Sequence, residues 1–226
     1  MKSIISNMQT EQKVVDVAVL IIFSTRTEML RSTFEAVRKA RPAHLLLYQT
    51  GPHASAYDAV RRAFSLYDKC IVLEEDSLPS PSFIPFCKEL LDRYENDLRV
   101  GMIAGFNPEG RTESPYEYLF TRMIPRYGWA SWRRVIDGWD STYSVVDDEY
   151  NMHQLEALSR RVKGWEKMPD LMRRHKRQGQ PVCETVMWSY LALQSCLTIV
   201  PTRNMLQDRG TPVYDVIFPL RHPLSP

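Results

Sequence analysis

Residues 14–23 read VVDVAVLIIF, a run in which nine of ten side chains are apolar. Because apolar residues occupy both parities of the alternation, both faces of this strand should be covered, which is typical of a central strand in a parallel sheet. A polar break at 24–27 follows. Apolar residues then recur at i, i+4 and i+7, so a helix is predicted over 28–40.

The same pattern repeats along the next part of the chain. Short buried strands are predicted over 45–48 and 70–73, separated by a helix over 56–67. Strands that alternate with helices predict an α/β fold with a mostly parallel central sheet. Further elements are expected as helices over 82–95 and 186–193, strands over 100–104 and 197–200, basic helical segments over 151–180, and a proline-rich tail over 203–226.

Composition excludes several classes of protein. The 226 residues carry a net charge of +2, with 29 basic and 27 acidic residues, so no nucleic-acid partner is predicted. The longest early apolar run, residues 17–23, is too short to cross a bilayer, and charged residues precede it, so no signal peptide is expected. The cysteines lack CxxC spacing, which predicts reduced thiols and a cytoplasmic protein; they are Cys70, Cys87, Cys183 and Cys196.

An acidic triplet follows the third predicted strand. In open parallel sheets, ligands bind outside the carboxyl ends of the strands, and Glu74, Glu75 and Asp76 occupy such an end. Three adjacent carboxylates repel one another, and a hard cation such as Mg²⁺ or Mn²⁺ would relieve that repulsion. The alternative is a solvated acidic loop, which is the usual role of a charge run.

Four segments in order resemble a known family. They are similar to segments of bacterial GT-A-fold glycosyltransferases related to the N-acetylglucosaminyltransferase I group. The segments are 17–52, the acidic segment IVLEEDSLPS and its continuation over 71–105, the FTRMIPRYGWASWRRVIDGWD stretch over 120–140, and a closing segment over 184–210. The resemblance implies a GT-A (Rossmann-like) single domain that transfers a sugar from a nucleotide-diphosphate donor, helped by Mn²⁺ or Mg²⁺ and usually with inversion.

The resemblance also implies a donor and metal site. Asp76 would bind the metal directly, with Glu75 and Glu74 supporting it or contacting the donor ribose, and His222 as a candidate third ligand. At the end of the first strand, Thr25 and Arg26 would meet the nucleotide. The alternative for Arg26 is a solvated charge that caps the sheet.

On the acceptor side, the resemblance points to Glu184 as the base that deprotonates the acceptor hydroxyl, with Asp140 and Asp208 in reserve. Glu184 could instead be a first-turn glutamate that the helix dipole favours. Trp129 and Trp132 could stack on a sugar ring behind a glycine hinge at Gly128, although two tryptophans three apart on a helix are more often core, and one of the two is expected to be core.

Two departures from the family pattern concern the donor pocket. Thr50 stands where an aspartate usually contacts the nucleotide base, and the chain is shortened between the second strand and the acidic motif, with only 54–69 in between. That length holds one helix of about 18 Å at most. The donor pocket would then be open on one side, or completed by another chain in a homo- or hetero-oligomer.

These features leave three functions to separate. The first is a metal-dependent glycosyltransferase with a glycan or lipid-linked acceptor, in which a flexible 1–13 precedes a donor-binding half (14–105) and an acceptor-binding half with its tail (106–226). The second is a catalytically weakened GT-A-like domain that partners another transferase, and the third is a nucleotide-binding regulator. The basic segment at 160–177 would be a solvated helix face, a peripheral contact with the inner membrane, or a surface that attracts a pyrophosphate-linked lipid acceptor.

Overall fold

The computed structural model describes residues 14–25, 27–162 and 164–208. Its strands are β1 (Val15–Phe23), β2 (Pro42–Gln49), β3 (Lys69–Glu74), β4 (Ser77–Pro79), β5 (Val100–Ala104), β6 (Tyr118–Thr121), β7 (Gly128–Trp132), β8 (Leu197–Pro201) and β9 (Leu206–Asp208). Seven of them form one sheet in the order β2-β1-β3-β7-β5-β8-β6. Five of these seven run in the same direction, and β6 and β7 oppose them, which confirms the predicted α/β fold with a mostly parallel sheet.

The run at 14–23 forms β1 and pairs in parallel with β2 on one side and β3 on the other. Its side chains from Val17 to Ile22 are all buried, as expected when helices cover both faces of a strand. Only α2 separates β2 from β3, as the shortened sequence predicts. The carboxyl ends of three parallel strands therefore lie side by side at one edge of the sheet.

The helices follow the predicted periodicity closely. Within α2, Ser55 and Asp58 form a capping box, which fixes the start of the helix, and Val60 and Phe64 are buried one turn apart. A short 3₁₀ helix over Ser144–Asp147 lies between the fourth and fifth helices. The helices are α1 (Thr27–Ala40), α2 (Ala56–Leu66), α3 (Phe83–Arg93), α4 (Arg133–Asp137), α5 (Glu149–Ser159), α6 (Met168–Gln178) and α7 (Cys183–Leu193).

The strand β7 corrects the expectation of a helix around Trp129 and Trp132. It inserts between β3 and β5 and runs antiparallel to both. Gly128 is also no hinge: it is a buried strand residue, and a Cβ there would lie 2.5 Å from Leu206 Cδ1 and 2.7 Å from Leu73 Cδ2. The glycine is required because Leu206 packs against the backbone at that point.

The two-stranded ribbon of β4 and β9 starts directly after the acidic triplet. Ser77 pairs with Asp208 and Pro79 with Leu206. Leu206 is 2% exposed and also lies against Gly105, and the neighbouring Met205 N–H donates to the Gly105 carbonyl oxygen at 3.0 Å, so both contacts fix β9 to the main sheet. In the part of the chain that the structure describes, no helix has the length and hydropathy needed to cross a bilayer.

Candidate functional site

A cavity of about 550 Å³ lies at the carboxyl ends of β1, β2 and β3. The sheet forms its floor, α2 one wall, and a loop over 123–127 another. One face of α6, from Met168 to His175, and the start of α7 contribute the rest of the wall. Its lining is mostly apolar and aromatic, and its acidic and basic members are Glu74, Glu75, Arg126, Arg174, His175 and Glu184.

Strand register explains how the floor is built. Ile22 lies opposite Glu74 across β1 and β3, and Val72 lies opposite Trp129 across β3 and β7. Side chains directly opposite one another project from the same face of a sheet, and residues two apart in one strand do so as well. Glu74 and Trp129, both predicted from the sequence, therefore share the face that lines the cavity.

The acidic triplet is divided between the cavity and the interior. Glu75 is 3% exposed and lines the cavity, and its carboxylate accepts hydrogen bonds from the backbone N–H and the Oγ of Ser24, both at 2.8 Å. Thr33 Oγ1 donates to the Glu75 carbonyl oxygen at 2.9 Å. Glu74 is half-buried on the cavity wall, whereas Asp76 is 3% exposed in the turn and is absent from the lining. Glu75 thus fastens the end of β1 to the end of β3.

The carboxylates of the acidic triplet could supply some, but not all, of the ligands of a divalent cation. Among the described ranges, no group of three or more His, Cys, Asp or Glu side chains is arranged to hold a metal ion. Both Glu75 oxygens already accept hydrogen bonds from Ser24. A Mg²⁺ or Mn²⁺ carried on substrate phosphates needs just one or two protein carboxylates, and Glu74 fits that smaller requirement. Metal dependence and the role of Asp76 stay predictions.

The residues that follow β1 and β2 differ in whether they line the cavity. Thr50 lines the cavity, and both its backbone N–H and its Oγ1 donate to the Phe23 carbonyl oxygen, at 2.8 and 3.2 Å. Thr25 is exposed and does not contribute to the lining, which corrects its predicted place in the pocket. Arg26 lies outside the described residues. Ser24, which the sequence analysis did not single out, is the cavity residue of this loop.

The two tryptophans have separate roles because they stand three apart on a strand and so face opposite sides of the sheet. Trp129 lines the cavity, and the Phe64 ring stacks on it with centroids 6.3 Å apart. Trp132 is buried, donates from Nε1 to the Leu91 carbonyl oxygen at 2.9 Å, and carries the Arg134 guanidinium 4.5 Å from its ring centroid. The prediction of Trp132 as a substrate-binding residue is wrong; it belongs to the core.

Of the predicted bases, Glu184 lies in the cavity and Asp140 does not. Glu184 is exposed in the first turn of α7. Asp140 lines a separate depression of about 370 Å³, where Thr142 and Ser144 donate to its carboxylate from backbone and hydroxyl groups. Burial raises the pKa of Asp140, but these hydrogen bonds outweigh it and hold the pKa below its usual value. Asp140 therefore stabilises a turn rather than serving the cavity, and His222 lies outside the described residues.

The wall loop carries a strained residue. Tyr127 has a left-handed backbone with φ of +64°, which is costly for a bulky side chain. Ser77 Oγ donates to its carbonyl oxygen, and its ring meets Phe106 edge-on with centroids 4.8 Å apart. Ser77 follows Asp76 directly, so the turn that holds the acidic triplet also holds the wall loop with its Arg126.

A buried polar network on the α6–α7 side was not predicted. His175 lines the cavity at 9% exposure, and its Nδ1 lies 3.0 Å from Thr185 Oγ1. Thr185 Oγ1 in turn lies 2.7 Å from the Tyr143 hydroxyl. The signal was present in the sequence, because Met168, Met172 and His175 recur at i, i+4 and i+7 and so place the histidine on the apolar face of α6.

Two cations of the basic segment form ion pairs with neighbouring elements. Arg173 pairs with Glu156 of α5, and Lys176 pairs with Asp147 of the 3₁₀ helix. Arg174 lines the cavity instead. These pairs are what a solvated helix face shows, and peripheral membrane contact stays a prediction.

Comparisons with known proteins give little similarity. No protein-family model matches the sequence, and no curated protein matches it. Among solved structures, the fold is similar to the crystal structure of a glycosyltransferase involved in the glycosylation of the major capsid of PBCV-1. The match has 11% sequence identity and a TM-score of 0.35, and covers 59% of this chain and 68% of that chain. Similarity at this level assigns no activity to the chain.

Proposed function

We propose that this chain is a metal-dependent glycosyltransferase that moves a sugar from a nucleotide-diphosphate donor to a hydroxyl of a glycan or lipid-linked acceptor. The observation that carries the proposal is the single cavity that joins Glu74 and Glu75, at the end of β3, to Trp129 on the floor and Glu184 at the start of α7. The cavity therefore brings together carboxylates that could hold a cation beside the donor phosphates, an aromatic ring that could pack on a sugar, and a carboxylate that could take part in proton transfer.

The donor would occupy the side formed by the strand ends. Ligands of open α/β sheets bind where the carboxyl ends of strands meet, and Ser24, Thr50 and Glu74 mark those ends. Phe23 and Val60 offer apolar surface for a nucleobase, and the Arg126 guanidinium on the facing loop supplies charge suited to a diphosphate. Thr50 keeps a hydroxyl where the family pattern has a carboxylate.

A divalent cation would be held by Glu74 together with the donor phosphates. When bound, such an ion stabilises negative charge on the departing diphosphate as a Lewis acid. The protein's own contribution is to fix Glu74 and Glu75: Ser24 holds the Glu75 carboxylate with two hydrogen bonds, and β4 with β9 anchors the turn that follows.

The acceptor would occupy the side formed by Trp129, α6 and α7. The large Trp129 ring offers an apolar face to a sugar, and Glu184 belongs to the proton-transfer step. In that step, the acceptor oxygen bonds to the anomeric carbon while the bond from that carbon to the phosphate oxygen breaks. The electron pair leaves with the nucleoside diphosphate, and the acceptor proton must pass to a base.

Calorimetry against a panel of UDP- and GDP-sugars, with and without Mn²⁺, tests the proposal. We expect Mn²⁺-dependent binding of at least one donor, and loss of that dependence in Glu74→Gln. Glu117→Gln is the matched control, because Glu117 is exposed and lies outside the cavity. Absence of binding in both conditions would refute the proposal and favour a partner role, and binding without Mn²⁺ in the presence of EDTA would favour a nucleotide-binding regulator.

A further inference from the structure

The imidazole of His175 is held by a chain of buried hydroxyls. The backbone N–H of Val182 donates to the Tyr143 hydroxyl oxygen at 2.9 Å, and that hydroxyl lies 2.7 Å from Thr185 Oγ1 but 3.5 Å from the Val182 carbonyl oxygen. The Tyr143 proton therefore goes to Thr185. Tyr143 itself has a left-handed backbone with φ of +52°, so its position is strained and firmly determined by its surroundings.

Counting protons along this chain favours one tautomer of His175. With its single proton donated to the Val182 carbonyl oxygen at 3.1 Å, Thr185 Oγ1 acts as an acceptor toward its other neighbours. Having also accepted from Tyr143, it can take one more hydrogen bond, and His175 Nδ1 at 3.0 Å is the group in position to donate it. The neutral imidazole then carries its proton on Nδ1 and keeps a lone pair on Nε2. Within the described ranges, Thr185 is the only hydrogen-bond partner of the ring.

The surroundings of His175 favour the neutral ring, because its pKa is lowered overall. Burial and the Arg174 charge lower its pKa, and the Glu184 carboxylate raises it. On the other elements packed against α6, Glu156 of α5 and Asp147 of the 3₁₀ helix are already paired, with Arg173 and Lys176. A neutral imidazole with a lone pair on Nε2 is the form that can act as a general base.

We propose that His175 Nε2 receives the proton of the acceptor hydroxyl, and that Glu184 stabilises the imidazolium that forms. The role rests on the proposed function. The acceptor O–H bond breaks as the new bond to the anomeric carbon forms, and the proton moves to Nε2 while the diphosphate departs with the electron pair. Thr185 and Tyr143 are positioning residues, since they act on the ring and not on the substrate. The same geometry makes a hydroxyl-bearing ligand the natural occupant of this side of the cavity.

The tautomer can be measured on the whole chain without any substrate. Long-range ¹H–¹⁵N spectra of the ¹⁵N-labelled protein at neutral pH should show His175 with the proton on Nδ1. Thr185→Val should lower the Nδ1–H share. Ser189→Ala is the matched control, because Ser189 Oγ makes the same type of bond to the carbonyl three residues earlier in α7 and lies outside the main cavity. A wild-type ring protonated on Nε2 would overturn the assignment whatever the protein catalyses.

The role in transfer is tested with the donor found by calorimetry. His175→Gln should lower turnover by a factor on the order of 100 to 10,000 and abolish the acidic limb of the pH–rate profile. Glu184→Gln should cost less and move that limb to lower pH, because removal of the carboxylate lowers the pKa of His175. If Glu184→Gln instead abolishes the limb and His175→Gln keeps it, Glu184 is the base and the proposal is wrong. Absence of turnover with every donor removes the proposed function and this role together, while the tautomer result stands.

Discussion

Adding one methyl group at Gly128 tests the packing that fixes the cavity. In Gly128→Ala, the new Cβ would lie 2.5 Å from Leu206 Cδ1 and 2.7 Å from Leu73 Cδ2, closer than carbon atoms approach in folded proteins. Gly128 opens β7, which supplies Trp129 to the cavity floor, and Leu206 fixes β9 beside the acidic turn. The substitution therefore stresses the contact that holds two parts of the site.

The magnitudes follow from burial and crowding. Overpacking at Gly128 should cost about 1–3 kcal/mol. Leu206→Ala, which empties a site 2% exposed, should cost about 2–5 kcal/mol. In the double variant the shortened Leu206 side chain removes the closer of the two short contacts, so the combined loss should fall short of the sum by about 0.5–3 kcal/mol. For a chain of this size, each kcal/mol lowers Tm by about 2–4 °C.

Urea unfolding of the wild type, both single variants and the double variant measures this coupling. Gly51→Ala is the control, because a Cβ there meets nothing within 4 Å; its stability should stay unchanged or rise by about 0.4–1 kcal/mol. Strict additivity of the two losses would refute the contact between Gly128 and Leu206. A loss in Gly51→Ala equal to that in Gly128→Ala would refute crowding as the cause.

Two further predictions concern the tryptophans and the acid stability. Trp132→Phe should lower the free energy of unfolding by about 1–3 kcal/mol, because a buried carbonyl loses its donor, and leave the KM for the acceptor unchanged. Trp129→Phe should mainly raise the KM for the acceptor; urea unfolding and steady-state kinetics would contradict this if the effects were exchanged. Burial raises the pKa of Asp92, but hydrogen bonds from Lys88 and Lys69 lower it overall, so its stabilisation is full above the unfolded pKa and is lost as pH falls through the folded value. Asp92→Asn should therefore flatten the fall of Tm below about pH 4, and an unchanged acid slope would count against it.

The parallel part of the sheet could be predicted because its signal is local. The run at 14–23 is apolar at both parities, and the alternating helices carry 3.6-residue periodicity, so β1, β2, β3 and the helices between them are each specified within about a dozen residues. The acidic triplet belongs to this part, because a strand end is itself a position in the sequence. Glu74 and Thr50 both line the cavity for this reason, and their roles in donor binding stay predictions.

The antiparallel strand β7 could not be predicted in the same way. It is five residues long, contains a glycine and a serine, and is defined by its partners β3 and β5, which lie about 25 to 60 residues earlier in the chain. Once it is known to be a strand, the separation of Trp129 and Trp132 follows at once. Residues three apart lie on one face of a helix but on opposite faces of a strand. Because a helix was expected here instead of β7, Trp132 was wrongly assigned to the same face as Trp129.

The remaining wall depends on backbone conformations that no periodicity signals. Tyr127 and Tyr143 both adopt left-handed backbones, each at a cost of about 1–3 kcal/mol that the rest of the fold must offset. Tyr127 is held by Ser77, next to the acidic triplet, and Tyr143 by Val182 and Thr185, next to Glu184. Strain of this kind persists where the surroundings determine it fully. Arg41 and Ser195 share the conformation away from the cavity, but Tyr127 lies in the cavity lining and Tyr143 holds the start of α7, which forms part of the wall. The conformations of these two tyrosines are therefore set by contacts that are distant in sequence, which is why no local pattern predicts this part of the wall.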